Sequence, residues 1–507
     1  MIAGPGLLRP LAWLAAALLL AGCEVGPHFA RPAPPAVTGY TPEPLAARTA
    51  SAPVEGGEAQ RFVQGLDIPG QWWALFHSPA LNALVAQAIA ANPTLPAAQA
   101  ALRQAWENVY AEEGSLFPTV IAGFSPSRNK TATGALSPAS ASGNPYYSLY
   151  AGQLNVSYAP DVFGGTRRQI ESLAAQAQVL RFQLEATYLT LTSNVVAAAV
   201  QEASLRGQIA ATEAIVETDG QALAIFDRQF QLGQIAGADV AAQQAALAQA
   251  QALLPPLQKQ LAIERDLLTA LLGRFPNQQP AQKFDLASLQ LPRDLPVSLP
   301  SALVDQRPDV RAAEAQLHSA SAEIGVAIAN RLPQFTLTAG AGSASNLISQ
   351  FVTGPGTAFW TIGGNAAQTL FDAGTLLHKQ RAAEAGFEQA AAQYRSTVIA
   401  AFQNVADSLR ALQTDADTLK AAAAAQEAAA ASLEITRRQL ELGAVNYLAL
   451  LTAQSTYQLA LMSVVQAQAS RYADTAALFQ ALGGGWWNRA DDRSAGAKAG
   501  AGFPWSF

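Results

Sequence analysis

Few residues of this 507-residue chain are of a type and spacing that could do chemistry. The chain has a single cysteine, Cys23, and one thiol cannot form an internal disulfide. The four histidines, His28, His77, His318 and His378, are scattered without the spacing of a metal site. The sequence contains neither a Gly-x-Ser-x-Gly nucleophile turn nor a phosphate-binding glycine loop. We therefore expect no catalytic residue, no metal site and no cofactor, and we expect that the chain is not an enzyme.

The position of Cys23 suggests one modification, the acylation of its thiol. Residues 1–22 read as a secretory signal, in which Arg9 precedes an apolar stretch too short to cross a bilayer as a helix. The Leu-Ala-Gly run before Cys23 resembles the bacterial lipobox, in which the thiol receives a diacylglycerol and the new N-terminus a third acyl chain. At roughly 0.8 kcal/mol per buried methylene, such chains would anchor the protein firmly. The resemblance to bacterial lipoproteins implies the outer membrane, because an aspartate after the cysteine often marks inner-membrane retention there and this chain has Glu24. The alternative is an unmodified cysteine after a signal peptide.

The composition excludes some partners and restricts how the chain can cross a membrane. The formal net charge is −6 and no basic run is present, so we expect no nucleic-acid partner. Half of the residues are apolar and 13% are charged. After the signal, no stretch approaches 18 consecutive apolar residues, so any further membrane crossing is expected to use β-strands.

The distribution of prolines predicts where the long helices lie. Prolines are concentrated in the first 53 residues, whereas residues 161–254 and 356–503 contain none. Because a proline inside a helix costs about 3 kcal/mol, the alanine-rich, proline-free stretches are predicted to be helical. Residues 23–78 are predicted to form an extended, lipid-anchored N-terminal tether.

Ordered landmarks in the sequence recur about 210 residues later and indicate an internal duplication. The paired landmarks are Pro93 with Pro308, Pro118 with Pro333, Gly165 with Gly374, Gly233 with Gly443, and Gly273 with Gly483. We therefore divide the rest of the chain into a first repeat (79–290), a second repeat (300–485) and a C-terminal tail (486–507).

Each repeat is predicted to have the same order of elements. A helix lies between the two prolines, a strand pair follows, and a helix of about 67 residues runs over Thr166–Leu232 or Thr375–Leu442. A glycine turn then leads to a helix of about 35 residues. At 1.5 Å per residue the longest helix would measure about 100 Å. Pro255 and Pro256 predict a kink or break in the last helix of the first repeat.

Two strand-like runs in each repeat alternate apolar and polar residues. The runs are Thr119–Pro126 and Tyr146–Tyr158 in the first repeat, and Gln334–Ser343 and Phe359–Leu370 in the second. Tyr146, Tyr150, Tyr158, Phe359 and Trp360 are predicted to be barrel aromatics. A soluble, half-buried hairpin has the same pattern and remains the alternative. Four strands are too few for a barrel, which needs about eight, so membrane strands would require several chains.

Several motifs resemble the outer membrane factor family, the TolC-like outer-membrane lipoprotein channels of tripartite RND-type efflux systems. The motifs are Trp72-Trp73-x-x-Phe76, Arg307-Pro308-Asp309-Val310-Arg311-x-x-Glu314 and Leu370-Phe371-Asp372-x-Gly374. The resemblance implies a mainly α fold with a small β part: a duplicated long-helix α-barrel plus four strands per chain, which contribute to a twelve-stranded trimeric β-barrel. It also implies a lipid-anchored duct in the outer membrane that extends into the periplasm. This duct would passively conduct small molecules from an inner-membrane pump and a periplasmic adaptor protein.

The resemblance further assigns residues to the inner end of this duct. The tip would be formed by the turns at Gly233 and Gly443, with Arg228 and Arg438 as contacts between helices or with the adaptor. The periplasmic gate would map to Asp239, Leu448 and Thr452, where many relatives carry aspartate in place of Thr452. For Asp239 a solvated position at a helix start remains an equal alternative.

A second function remains open on the residues alone. A lipid-anchored periplasmic coiled-coil scaffold without a pore would use the same long helices and give the strands no role in the membrane. Helical periodicity does not distinguish a coiled coil from the wall of a tube, so the nature of the strands decides between the two.

Overall fold

The chain folds into long α-helices and a small amount of β-sheet, as the sequence predicts. A computed structural model describes residues 24–130 and 146–489, so the predicted lipidation site Cys23 lies outside the described residues. The described helices are α1 Pro79–Ala91, α2 Thr94–Glu113, α3 Gly165–Gln231, α4 Gly237–Leu271, α5 Pro300–Gln306, α6 Pro308–Ala329, α7 Thr375–Glu441 and α8 Tyr447–Ala481. The described strands are β1 Arg61–Gln64, β2 Thr119–Lys130, β3 Tyr146–Tyr158, β4 Asp294–Val297, β5 Gln334–Ser345 and β6 Ala358–Ala367.

The two compact units of the structure do not coincide with the two repeats. The described parts are 24–31, 101–130, 146–180 and 313–394 in the first unit, and 32–100, 181–312 and 395–489 in the second. Each unit therefore takes elements from both repeats. The duplication describes the order of elements along the chain, whereas the boundaries 79–290 and 300–485 do not delimit compact domains.

The four long strands of the first unit form one antiparallel sheet. Their order is β2-β3-β5-β6, so the central pair β3–β5 joins the first repeat to the second. Tyr146–Tyr158 has the bounds that the sequence predicts, while the other three strands differ by a few residues at their ends.

The two longest helices are both 67 residues long, and an aspartate lies shortly before the first residue of each. Asp161 accepts hydrogen bonds from the backbone N–H groups of Thr166 (3.1 Å) and Arg167 (3.0 Å). Asp372 accepts them from Gly374 (2.9 Å) and Leu376 (2.7 Å). These carboxylates satisfy N–H groups that have no partner within the helix, and they fix where each helix follows its strand pair.

The sequence predicts a kink or a break at Pro255 and Pro256; the break is wrong, and the kink stays a prediction. α4 continues through both residues over Gly237–Leu271. Each proline removes one backbone donor, and the turns on either side of the pair are exposed or half-buried, so local packing does not explain the continuity. Because helix formation is cooperative, the helical segments 237–254 and 257–271 carry the helix across the two missing donors.

The prediction that residues 23–78 form an extended tether is wrong where this segment packs on residues far away in the sequence. β1 pairs in parallel with β4, and Trp72 stacks on Phe479 at 5.4 Å between ring centroids. Trp72 and Phe76 are almost fully buried, and each such side chain contributes about 2 kcal/mol. Proline content predicted an irregular backbone but could not show that the aromatic residues of this segment have long-range partners.

The C-terminal tail begins with packed residues. Trp486 Nε1 donates a hydrogen bond to the Gln306 carbonyl at 2.7 Å, and Asn488 Nδ2 donates to Asp67 Oδ2 at 2.8 Å. The first residues of the predicted tail 486–507 are therefore part of the second unit, whereas residues beyond Arg489 lie outside the described part of the chain.

Candidate functional site: an amphipathic sheet and two helical turns

The four-stranded sheet presents one apolar face. Residues directly opposite each other on neighbouring strands share a face, and successive residues alternate between faces. The register places Ala122, Leu154, Ala341 and Trp360 in one row across the sheet. The large apolar side chains of this face are exposed: Val120, Phe124, Leu154, Leu337, Trp360 and Ile362. Trp360 is 76% and Ile362 is 75% exposed, so nothing in the described chain covers this end of the sheet.

The opposite face of the sheet is mainly polar. Its side chains include Ser125, Gln153, Asn155, Ser157, Thr336, Thr338, Thr361 and Asn365. Ile121, Tyr147, Leu149 and Phe359 are apolar exceptions. A soluble hairpin would turn its apolar face towards a core, whereas here the apolar face is exposed. This arrangement is typical of strands that lie between lipid and a water-filled lumen.

The predicted barrel aromatics are divided between the two faces. Tyr146, Tyr150, Tyr158 and Trp360 lie on the apolar face, but Phe359 lies on the polar face. Because the side-chain period of a strand is two residues, neighbouring aromatics cannot both face the lipid. The register therefore separates Phe359 from the other four, and the assignment of all five residues to a barrel stays a prediction.

The sheet has two open edges. Among the described residues, β2 pairs with β3 alone and β6 pairs with β5 alone. Each edge strand therefore presents unpaired N–H and C=O groups along one side over ten or more residues. Unpaired backbone groups are not tolerated in lipid, so this sheet is incomplete as a membrane structure.

The predicted turns at Gly233 and Gly443 have the same geometry. Both glycines have φ of +71°, a left-handed conformation that other residues adopt only at a cost. Gly233 N–H donates to the Phe230 carbonyl at 2.8 Å, and Gly443 N–H donates to the Leu440 carbonyl at 2.9 Å. The next residue in each turn donates to a carbonyl five residues earlier, which completes the same helix-ending motif in both repeats.

Replacing Gly443 with alanine is expected to lower the free energy of unfolding by about 1 kcal/mol, because alanine is strained at positive φ. Gly386 is the matched control, since it lies inside α7 and no atom lies within 4 Å of an added Cβ. Gly386→Ala is expected to raise the free energy of unfolding by about 0.5–1 kcal/mol. Thermal unfolding followed by circular dichroism measures both changes, and effects of the same sign would contradict the turn assignment.

Two of the three predicted gate residues lie together. Leu448 is 67% exposed, and Thr452 lies one turn further along the same exposed face of α8. The Thr452 hydroxyl donates a hydrogen bond to the Leu448 carbonyl at 2.9 Å. The opposite face of α8 carries Tyr447 and Leu450, which are buried against Phe226 and Val240.

Asp239 lies apart from this exposed face. It is half-buried in the first turn of α4, and its Oδ2 accepts a hydrogen bond from the Ala236 N–H at 3.3 Å. The local contact is that of a helix-capping residue. Asp239 also lines a cavity of about 620 Å³ together with Gln234, Arg437, Tyr447 and Gln454.

A buried polar contact beside this cavity was not found from the sequence. The Tyr447 hydroxyl donates a hydrogen bond to Gln243 Oε1, and Gln243 Nε2 donates to the Asp219 carbonyl at 2.8 Å. Burial raises the pKa of the Tyr447 hydroxyl, and the charges of Asp219 and Asp239 raise it further. No local motif marks these residues, because their partners are far apart in sequence.

The two arginines predicted at the tip, Arg228 and Arg438, are exposed at the surface. Arg438 is exposed, and its Nε lies 3.0 Å from Glu434 Oε1 one turn earlier. Arg228 occupies the matching exposed position in the first repeat. Phe230, Leu232 and Leu442 are exposed beside these arginines.

No group of three or more histidine, cysteine, aspartate or glutamate side chains that could hold a metal occurs in residues 24–130 and 146–489.

One described helix, α8, is long and apolar enough by composition to cross a membrane. A single helix of this kind is weak support for a helical span, because the core helix of a soluble protein has the same composition.

Comparison with known proteins gives a consistent result. A family described as "Outer membrane efflux protein" matches residues 84–274 and 299–484. The pyoverdine export outer membrane protein OpmQ of Pseudomonas putida is 30% identical over 439 residues, which cover 86% of this chain and 92% of that protein. The toluene efflux pump outer membrane protein TtgC of Pseudomonas putida is 28% identical over 479 residues, 93% of this chain and 95% of that one. The solved structure of the outer-membrane channel OprN has a TM-score of 0.81 at 26% identity and covers 92% of this chain and 100% of that one.

Proposed function

The chain belongs to the outer membrane efflux protein family, and from this premise we propose that three protomers close one exit duct through the outer membrane. The amphipathic sheet with two open edges carries the proposal. Four strands per chain are below the minimum of about eight, and three chains supply twelve. β6 of one protomer would pair with β2 of the next, so that every edge is satisfied.

The duct is passive. The apolar face of the sheet lies against lipid and the polar face lines the water-filled lumen, while the long helices form the wall of a tunnel in the periplasm. An inner-membrane pump supplies the energy and an adaptor protein binds the tip at Gly233 and Gly443. The adaptor contacts include Arg228 and Arg438.

Acyl chains on Cys23 anchor each protomer in the outer membrane. The support for this is the lipobox-like run before the only cysteine of the sequence. The relatives OpmQ and TtgC are named for pyoverdine export and toluene efflux, which are chemically unlike cargoes. We infer that the pump selects the cargo and that the duct conducts small molecules with little selectivity.

A scaffold without a pore is not favoured. A soluble scaffold would expose to water the six large apolar side chains of the sheet face, which lie at the surface of the described chain. Contiguous apolar patches of this kind are rare on soluble monomers and mark an interaction site.

At the inner end, Leu448 and Thr452 narrow the lumen. The exposed face of α8 would repeat three times around the axis, which gives an apolar ring at Leu448 and a hydroxyl ring at Thr452. Asp239 would add one negative charge per protomer near this constriction, and therefore three per trimer. Only the first repeat contributes a charge, because Ala449 stands at the matching position of the second repeat. A ring of carboxylates favours cations.

Recording in planar lipid bilayers tests the proposal. Purified trimer is expected to give stable single-channel steps, and Asp239→Asn is expected to lower the ratio of cation to anion permeability by roughly twofold or more. Asp227→Asn is the control, since this exchange removes a carboxylate on α3 near the tip that is not assigned to the gate. A silent bilayer with intact trimer would overturn the duct, and an unchanged ratio in Asp239→Asn would remove Asp239 from the gate.

A further inference from the structure

The residues that follow Cys23 are held against the first unit by contacts at both ends. We call residues 24–31 the anchor segment. It lies on the first turns of α3 and along α6, and the parts of both helices that it contacts belong to the same unit as the segment. The residues that contact it, which we call the clamp, are Arg168, Glu171, Glu314, His318 and Gly325.

Arg168 is the centre of the clamp. Its side chain is only 2% exposed, so its N–H groups depend on protein partners. Nε donates to the Val25 carbonyl at 3.1 Å and lies 3.3 Å from Glu24 Oε1. Nη1 donates to Glu171 Oε2 at 2.6 Å, and Nη2 lies 3.4 Å from His28 Nδ1. Three of the four partners therefore come from the anchor segment, and its departure would leave the guanidinium with one carboxylate, that of Glu171.

The backbone of the segment is in close contact with α6. Gly26 has φ of +98°, and a Cβ at this position would lie 2.5 Å from the Gly325 Cα. A Cβ on Gly325 would lie 2.9 Å from the Val25 carbonyl oxygen and 2.8 Å from Arg168 Cγ. Glycine is thus needed at both positions for the backbone of the anchor segment to approach the backbone of α6 this closely. The Val25 N–H also donates to the Phe163 carbonyl at 3.2 Å.

The other end of the segment is held by a ring and an ion pair. Phe29 stacks on His318 with 4.4 Å between ring centroids and 13° between planes. His318 Nε2 lies 2.8 Å from Glu171 Oε1, so this ring is fixed by the same glutamate that binds Arg168. Arg31 Nε lies 2.9 Å from Glu314 Oε1. Contacts along the full length of the segment make it part of the unit rather than a flexible tether.

We propose that the clamp is a docking site for the acylated N-terminus and holds the lipid anchor at the junction of β3 and α3. This inference rests on the lipidation of Cys23 proposed above. Glu24 is the first residue after Cys23, and it contacts Gly164 immediately before α3. Consecutive Cα atoms are about 3.8 Å apart, so the acyl chains leave the protein beside the end of β3. The anchor therefore sets the level at which the apolar face of the sheet enters the membrane.

Protease protection at Phe29 tests the clamp in the full-length protein in detergent. Chymotrypsin cleaves after phenylalanine, and the half-buried Phe29 ring must leave His318 to enter the protease. We expect slow cleavage after Phe29 in the wild type and at least roughly tenfold faster cleavage in Arg168→Gln, because the buried contacts to the segment are lost. Gly325→Ala is a second variant that keeps every charge and favours helix, yet displaces the Val25 carbonyl; we expect it to release the segment as well.

The control is Arg331→Gln, which changes an exposed arginine of the same unit that contacts Gln380 and not the anchor segment. It is expected to be cleaved as slowly as the wild type. Rapid cleavage after Phe29 in the wild type, or equal rates in the wild type and both clamp variants, would overturn the clamp. The mass of the released peptide 23–29 separates the two proposals: an unmodified peptide would refute lipidation of Cys23 even where protection is observed.

Discussion

Leu154→Lys is expected to abolish membrane-inserted trimer, whereas the same exchange at the next residue, Asn155, is expected to be tolerated. Leu154 is 52% exposed on the apolar face of the sheet, and Asn155 lies on the polar face. A lysine on the lipid side of a barrel costs about 2–4 kcal/mol near the bilayer midplane, and the trimer would bear this cost three times. A lysine in a water-filled lumen stays hydrated and costs far less.

The measurement is the fraction of heat-modifiable trimer in outer-membrane preparations on gel electrophoresis. The two variants add the same charge to neighbouring residues of one strand, so differences in expression or net charge do not distinguish them. Equal loss of trimer in both variants would contradict the assignment of the two faces, and so would normal trimer in both.

Asp415→Asn is expected to stabilise the protein at neutral and higher pH. Burial raises the pKa of the Asp415 carboxyl from 3.8 to about 7, and its hydrogen bond and repulsion with Asp474 add to the increase, while Arg471 opposes it. Between these two pKa values the folded state binds a proton that the unfolded state has lost. The free energy of unfolding therefore falls as pH rises from about 4 to about 7. After allowance for partial exposure, the loss amounts to about 2 kcal/mol.

Asparagine cannot ionise, so the variant loses this pH dependence. The stability gain over the wild type is expected to be largest above pH ~7 and to vanish below pH ~4. Thermal unfolding followed by circular dichroism across this range measures it. Asp417→Asn is the control, because Asp417 is exposed on the same helix. A constant difference between the wild type and Asp415→Asn at all pH values would show that titration of Asp415 is not the cause.

Local signals in the sequence predicted the elements accurately. The proline-free stretches became the 67-residue helices Gly165–Gln231 and Thr375–Glu441, within a residue of the predicted bounds. The strand Tyr146–Tyr158 and the turns at Gly233 and Gly443 were also found, because alternation, glycine and proline act on neighbouring backbone. The family resemblance added the outer-membrane channel, which the comparisons confirm.

Predictions that depended on distant partners were less accurate. Phe359 could not be placed on a face of the sheet until the register of β5 and β6 was known. Asp239 has a capping contact that explains its position without a gate, so its role there stays a prediction.

The sequence by itself determined the repeated order of helices, strands and turns, because those depend on residues close together in the chain. Only the tertiary structure decided which residues of the first repeat meet those of the second. It showed that β3 pairs with β5 and that the anchor segment binds Arg168, which is 143 residues away from Val25. Contacts over such separations leave no local pattern, since each partner alone is an ordinary glycine, arginine or aromatic residue. The physical reason is that burial and hydrogen bonding act between surfaces, which exist only once the chain has folded.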